Sequence, residues 1–108
     1  MSVYFVAQWS IPEGKKEACE EALKAILAHI QVEHPTIRSV RVFRQIWGPV
    51  PRRAYVWYEE YESLTALDQE VGTPQCDEVW APIYAMAQEG TFLTGLWSDP
   101  QRDLWMQR

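Results

Sequence analysis

The sequence predicts an α+β fold of the ferredoxin-like kind, βαββαβ, a four-stranded antiparallel sheet with both helices on one face. Three observations predict it. Between Trp9 and Lys16 the hydrophobic period changes from strand-like to helix-like. Two alternating runs then follow one another across Gly48-Pro49-Val50-Pro51 with no helix between them. Finally, a helical segment after Ser63 leads into a last apolar run before the C-terminus.

Residues 3–9 are rich in β-branched and aromatic side chains and read as the first strand. Two starts compete for the next helix, because Ser10 with Glu13 and Gly14 with Glu17 both have capping-box spacing. The later start keeps Gly14 out of the helix interior. That helix runs to about residue 33 with an apolar stripe of Ala18, Cys19, Ala22, Leu23, Ile26, Leu27 and Ile30, and Pro35 stops it. Residues 37–47 form the second strand, with Val40, Val42 and Ile46 opposed to Ser39, Arg41, Phe43, Gln45 and Trp47. Residues 53–59 form the third, with Ala54, Val56 and Tyr58 opposed to Tyr55, Trp57 and Glu59. Ser63 caps a short helix to about residue 70, Gly72 and Thr73 break it, and Pro74 opens a second one reaching residue 88. Gly90 ends that helix, and residues 91–98 make the fourth strand.

A chain of 108 residues suits one domain, here residues 1–98, with 99–108 as a tail packing on its own or a partner subunit through Leu104, Trp105 and Met106. Hydrophobic residues make up 47% and charged ones 23%, which is a globular composition. Six Trp, five Tyr and three Phe are more than so small a core easily holds. The net charge of -5 repels phosphate backbones and argues against nucleic acid. No apolar run approaches the roughly 18 residues of a membrane span, and nothing at the N-terminus reads as a signal peptide, so the expectation is a cytoplasmic protein with no membrane partner. Cys19 and Cys76 sit among acidic neighbours that disfavour a thiolate, so both read as reduced structural thiols.

The sheet face turned away from the helices decides the rest. With Val40, Val42, Ala54 and Val56 directed at the helices, Phe43, Trp47, Tyr55 and Trp57 fall on the open face, and the first strand adds Tyr4, Val6 and Gln8. So large an aromatic patch calls for a partner, and two sheets packed face to face in a twofold homodimer satisfy it. A pocket enclosed there is lined by Tyr4, Gln8, Ser39, Arg41, Phe43, Tyr55 and Trp57 and takes a small organic ligand. Filling of a dimer interface alone explains the same residues about equally well.

The stretches IPEGKKEACEEAL, HPTIRSVRVFRQIWG and VWYEEYESLTALDQEVGTPQCDEVW resemble the dimeric α/β-barrel superfamily, which includes antibiotic-biosynthesis-type monooxygenases and NIPSNAP-like proteins. The resemblance spans residues 3–98 and implies a homodimer. For the monooxygenase branch it implies cofactor-independent oxidation of an ionised substrate. It departs at ALDQE, residues 66–70, where active members often carry His, and the lack of any His after His34 argues against haem of the kind that family branch holds. Trp80 within CDEVWAPI looks more like the NIPSNAP-type pattern.

Two residues are candidates for catalysis. Arg41 offers a guanidinium to an anionic substrate oxygen, against the plainer reading of a cross-strand pair with Glu59 or a partner-chain acid. Asp68 occupies the region of the family's His and offers a base, against the plainer reading of a solvated helix residue. Trp80 and Tyr84 share a helix face and read as core. His29 and His34, five apart, fall on different helix faces, so neither a metal site nor any cofactor is expected. The expectation is therefore a homodimer binding a small aromatic or anionic organic ligand, cofactor-independent and monooxygenase-like if catalytic. The alternative is a non-catalytic NIPSNAP-like binding or interaction module whose aromatics serve only the dimer.

Overall fold

The computed structural model describes residues 2–48, 53–70, 74–99, 104, 106 and 108. The expectations for the Gly48–Pro51 turn beyond Gly48, for the Gly72-Thr73 break and for Trp105 lie outside the described residues, as does the Cys76 side chain. The chain order is β1 (Val3–Ser10), α1 (Lys16–Glu33), β2 (Ile37–Arg44), β3 (Ala54–Tyr61), α2 (Leu64–Asp68), α3 (Pro74–Met86) and β4 (Leu93–Ser98). The strands form one sheet in the order β2-β3-β1-β4, every pair antiparallel, as the ferredoxin-like topology requires. No helix among the described residues is long and apolar enough to cross a membrane.

Local chemistry explains the boundaries. Neither capping box forms at the start of α1: Lys15 is the cap residue and its side chain makes no capping bond. Gly14 instead supplies the tight turn ahead of the helix with φ of +85°, a conformation that costs glycine nothing. The apolar spacing of α1 buries Cys19, Leu23, Ile26 and Ile30, while Leu27 at the stripe's margin stays over a third exposed. His34 leaves helical geometry, with φ of -128° and ψ of 72°, just before Pro35. Ser63 caps α2 as expected, its Oγ accepting from the Ala66 N–H at 3.2 Å. β2 ends at Arg44, short of the expected strand, leaving Ile46 and Trp47 about 80% exposed.

Register assigns the faces. β1 turns Ala7 and Trp9 inward, β3 places Trp57 opposite Ala7 and Tyr55 opposite Trp9, and β2 places Val42 beside Trp57. A shift in the β2–β3 register between Ile37 and Ser39 lets Ile37 and Val40 both pack toward the helices despite their odd spacing. The helices close this layer with Leu23, Ile26 and Ile30 from α1 and Trp80 and Ile83 from α3.

This overturns one expectation. β2 and β1 present the faces foreseen, but β3 is turned over: Tyr55 and Trp57 lie beneath the helices, and Ala54, Val56 and Tyr58 lie on the open face. The physical reason is size matching. Ala7 is small, so the adjacent strand can bury a whole indole against it, and a buried aromatic removes far more apolar surface from water than Ala or Val. Trp57 is fully buried, T-shaped against Trp80 at 4.8 Å, and Trp80 in turn meets Trp9 at 5.7 Å.

Candidate functional site

The same inversion carries Glu59 inward. Following Tyr55 and Trp57 on the inner face of β3, its carboxylate is 5% exposed beneath the helices. A carboxylate there needs partners, and the strand supplies them two residues away on each side. Glu59 Oε1 accepts from Trp57 Nε1 at 2.9 Å and Oε2 accepts from the Tyr61 hydroxyl at 2.7 Å. Burial pushes the Glu59 carboxyl above its ordinary value, with the bonds from Tyr61 and Trp57 and the nearby His34 pulling the other way.

Facing Glu59 is a chain of polar groups from three separate segments. His34, at the end of α1, meets Glu70 through its Nδ1, and the Thr36 hydroxyl donates to the other oxygen of Glu70. On its other side, His34 Nε2 lies 3.0 Å from His29 Nε2. Both the His34 and Glu70 side chains are nearly nine-tenths buried. Burial works to raise the Glu70 carboxyl, but the bonds from Thr36 and His34 and the charge of His34 outweigh it and hold Glu70 low. An ionised Glu70 can only accept, so whenever the His34 ring is neutral its hydrogen sits on Nδ1 and its Nε2 is the acceptor toward His29. Among the described residues no group of three or more His, Cys, Asp or Glu side chains is disposed to hold a metal ion.

Glu59, Glu70, His34 and His29 line a cavity of about 160 Å³ between the sheet and the helices. Phe5, Ile30 and Ile37 form part of its apolar wall, and Trp80, Tyr84 and Phe92 form an aromatic end. Phe92 meets Tyr84 edge-on at 4.9 Å, and Trp80 lies parallel to Tyr84 at 6.3 Å. Trp80 is buried as expected, whereas Tyr84 is half exposed at the cavity's edge. An aromatic pocket, open to solvent beside Tyr84 and Asp77, with a carboxyl on one wall and a carboxylate-backed imidazole pair on another can bind a small protic molecule and take a proton from it.

The residues singled out in the sequence lie elsewhere. Tyr4, Gln8, Ser39, Arg41 and Phe43 are together on the open face of the sheet, whereas Tyr55 and Trp57 are on the opposite side. Arg41 is exposed and stands opposite Tyr58 rather than Glu59. Ser39 donates to Glu60 at 3.0 Å, and Phe43 meets Tyr58 edge-on at 5.7 Å. The Tyr55 hydroxyl donates to Glu20 at 2.8 Å, next to the Arg44–Glu20 ion pair. Asp68 is exposed at the end of α2 and does not line the cavity. Reading the sequence alone passed over His29, His34, Glu59 and Glu70. The spacing rule that separated the two histidines holds only inside a helix, and His34 lies just past one. A usable signal for Glu59 did exist: an acid continuing the Tyr55–Trp57 side of an alternating strand.

No protein-family model matches the sequence, and no curated protein matches it. Solved structures do. SnoaB, a cofactor-independent oxygenase from Streptomyces nogalater, superposes with a TM-score of 0.73 at 17% identity, over 93% of this chain and 94% of that one. Rv0793 from Mycobacterium tuberculosis gives 0.72 at 18% identity, over 92% and 95%. An antibiotic biosynthesis monooxygenase gives 0.70 at 15% identity, over 90% and 97%. At such identities the likeness is one of fold. The chain has the ferredoxin-like α+β fold of the antibiotic-biosynthesis-monooxygenase-like structures over nearly its whole length.

Proposed function

We propose that this protein binds a small aromatic hydroxy compound in the cavity between helices and sheet and removes its proton there. A single observation carries the reading: buried Glu59 and the Glu70–His34–His29 chain line one aromatic cavity. Glu70 holds the His34 hydrogen on Nδ1, so a ligand hydroxyl taking the place of His29 meets the Nε2 lone pair. The imidazolium that forms is stabilised by the adjacent carboxylate. Glu59, when protonated, donates a hydrogen bond to the resulting oxyanion.

A ring anion so formed is electron-rich enough to reduce oxygen without a cofactor. For a quinol the balance is simple: the ring gives up two electrons and two protons, and dioxygen takes them to become hydrogen peroxide. For an activated ring methylene, one oxygen atom becomes the new carbonyl and the other leaves as water. The fold shared with SnoaB, a cofactor-independent oxygenase, supports this direction.

The open face then serves assembly. Phe43, Leu93 and Trp97 are more than half exposed in the single chain, and Tyr58 is over a third exposed. We assign these to a twofold homodimer with Tyr4, Gln8, Ser39 and Arg41 interleaved, in the cytoplasm, where buried Cys19 stays a free thiol. Leu104 and Met106 of the tail, both about three-quarters exposed, belong to the same contact.

Oxygen uptake by the purified protein with a quinol, against His34→Gln, tests the function. Uptake that falls at least 100-fold in the variant supports it. Binding lost in the variant, with no uptake in either protein, reduces the reading to a binding module. Uptake equal in both overturns it.

A further inference from the structure

The size and charge of the cavity narrow its ligand class, a narrowing that rests on the proton-removing function proposed for this site. We infer that the cavity accepts a one-ring phenol that arrives neutral, and that it rejects both fused-ring phenols and permanent anions of the same size.

Volume limits the number of rings. A cavity of about 160 Å³ compares with the roughly 150 Å³ apolar cavity that takes up one benzene ring. Its walls do not yield easily. Trp80 is pinned edge-on between Trp57 and Trp9, at 4.8 and 5.7 Å, and Ile30 and Glu59 are buried in helix and strand. A close-packed interior of this kind does not open to admit a second ring without cost. Tyr84, half exposed, and Asp77, exposed, are walls with solvent behind them.

Carboxyl groups limit the charge. Glu70 lines the cavity as a carboxylate, Asp77, exposed near the start of α3, adds a second acid, and Glu59 adds a third charge only when it is ionised. Two imidazoles face them, and among the described residues no lysine or arginine lines the space. The chain as a whole carries -5. Such a field repels a carboxylate or phosphate on approach. A neutral phenol escapes that repulsion and becomes an anion only after handing its proton to the histidine pair. The ring then lies toward Trp80, Tyr84 and Phe92, with the hydroxyl toward His34.

The test is a binding titration with three probes: 4-nitrophenol, the neutral two-ring 2-naphthol, and 4-nitrobenzoate. Each is run on the protein, on His34→Gln, on Glu70→Gln and on Tyr84→Ala, after urea unfolding shows each variant folded. The expected result is 4-nitrophenol binding about tenfold or more tighter than either other probe. Its phenolate absorbance should rise on binding, and that rise should be lost in His34→Gln or Glu70→Gln. Tyr84→Ala should recover naphthol binding by about tenfold. Naphthol binding as tightly as nitrophenol, and lost in either relay variant, overturns the size limit but leaves the site's function standing. Nitrobenzoate binding equally well overturns the requirement for a neutral ligand in the same way. No binding by any probe, or binding indifferent to both relay variants, overturns the inference together with the function beneath it.

Discussion

The two faces of the sheet are built from the same four strands, yet they solve opposite problems. On the inner face, Trp9, Tyr55 and Trp57 are almost wholly buried; Tyr55 donates to Glu20, and Glu59 accepts from Trp57 and Tyr61, while the Trp9 indole N–H is left without a hydrogen-bond partner among the described residues. The open face holds nearly as many aromatics, but Phe43 and Trp97 are more than half exposed. One face is finished by folding; the other leaves its aromatics in water in the single chain. Aromatic content therefore says little about where a site lies. What distinguishes the inner face is a buried acid and an imidazole pair enclosed with the rings.

The largest effect that breaks this contrast is Trp57→Ala. The side chain is fully buried, and its loss costs about 3–5 kcal/mol. It also strips Glu59 of one donor. Urea denaturation should show a strongly lowered midpoint or no folded baseline, whereas Phe43→Ala, on the open face, should leave the unfolding of the isolated chain nearly unchanged. Equal losses from both would show that the faces do not differ as described.

Next comes the relay. Glu70→Gln removes the anion behind His34, and proton abstraction should fall about 100-fold. The variant also carries a stability signature. Because Glu70 is held below its ordinary value in the folded state, its contribution is present at neutral pH and is lost as pH falls below about 4. The stability gap between native chain and variant should close across that acid range. A gap of unchanged size from about pH 6 down to pH 3 would mean that Glu70 contributes by packing alone.

How much of this was legible in the sequence depends on the same contrast. Element order, the Ser63 cap and the inward side of β2 could all be read from period and composition, because each depends on neighbours within a few residues. The orientation of β3 could not. Its two sides, Ala-Val-Tyr and Tyr-Trp-Glu, are both apolar enough to go inward, and the choice was made by Ala7, about fifty residues away, leaving room for an indole. The site shared that fate. Glu59 followed the strand inward, and His34 reached His29 only because the helix ends one residue earlier.

On the open face, Phe43→Glu places a charge opposite Val56 and beside Tyr58. If that face is a homodimer contact, sedimentation velocity should show at least a tenfold weaker association, with the cavity's ligand affinity retained in the single chain. A variant that self-associates as strongly as the native chain would free the open face of that role.

The smallest and sharpest test concerns Glu59 itself. Its carboxyl is raised by burial, so between the unfolded value, about 4.3, and the higher folded value the native state holds more protons than the unfolded state. Stability of the native chain must then fall as pH rises through that window and level off above it, which is opposite in direction to the Glu70 effect and lies higher on the pH scale. Glu59→Gln keeps one acceptor for Trp57 or Tyr61 and cannot ionise. Relative to the native chain it should gain stability as pH rises above about 4.3 and show no gain below it. Urea midpoints measured from pH 4 to 8 would reveal this as two diverging curves. Parallel curves would mean that Glu59 is as ionised in the fold as in water, and its hydrogen bonds from Trp57 and Tyr61 would then outweigh the burial that the inner face imposes on it.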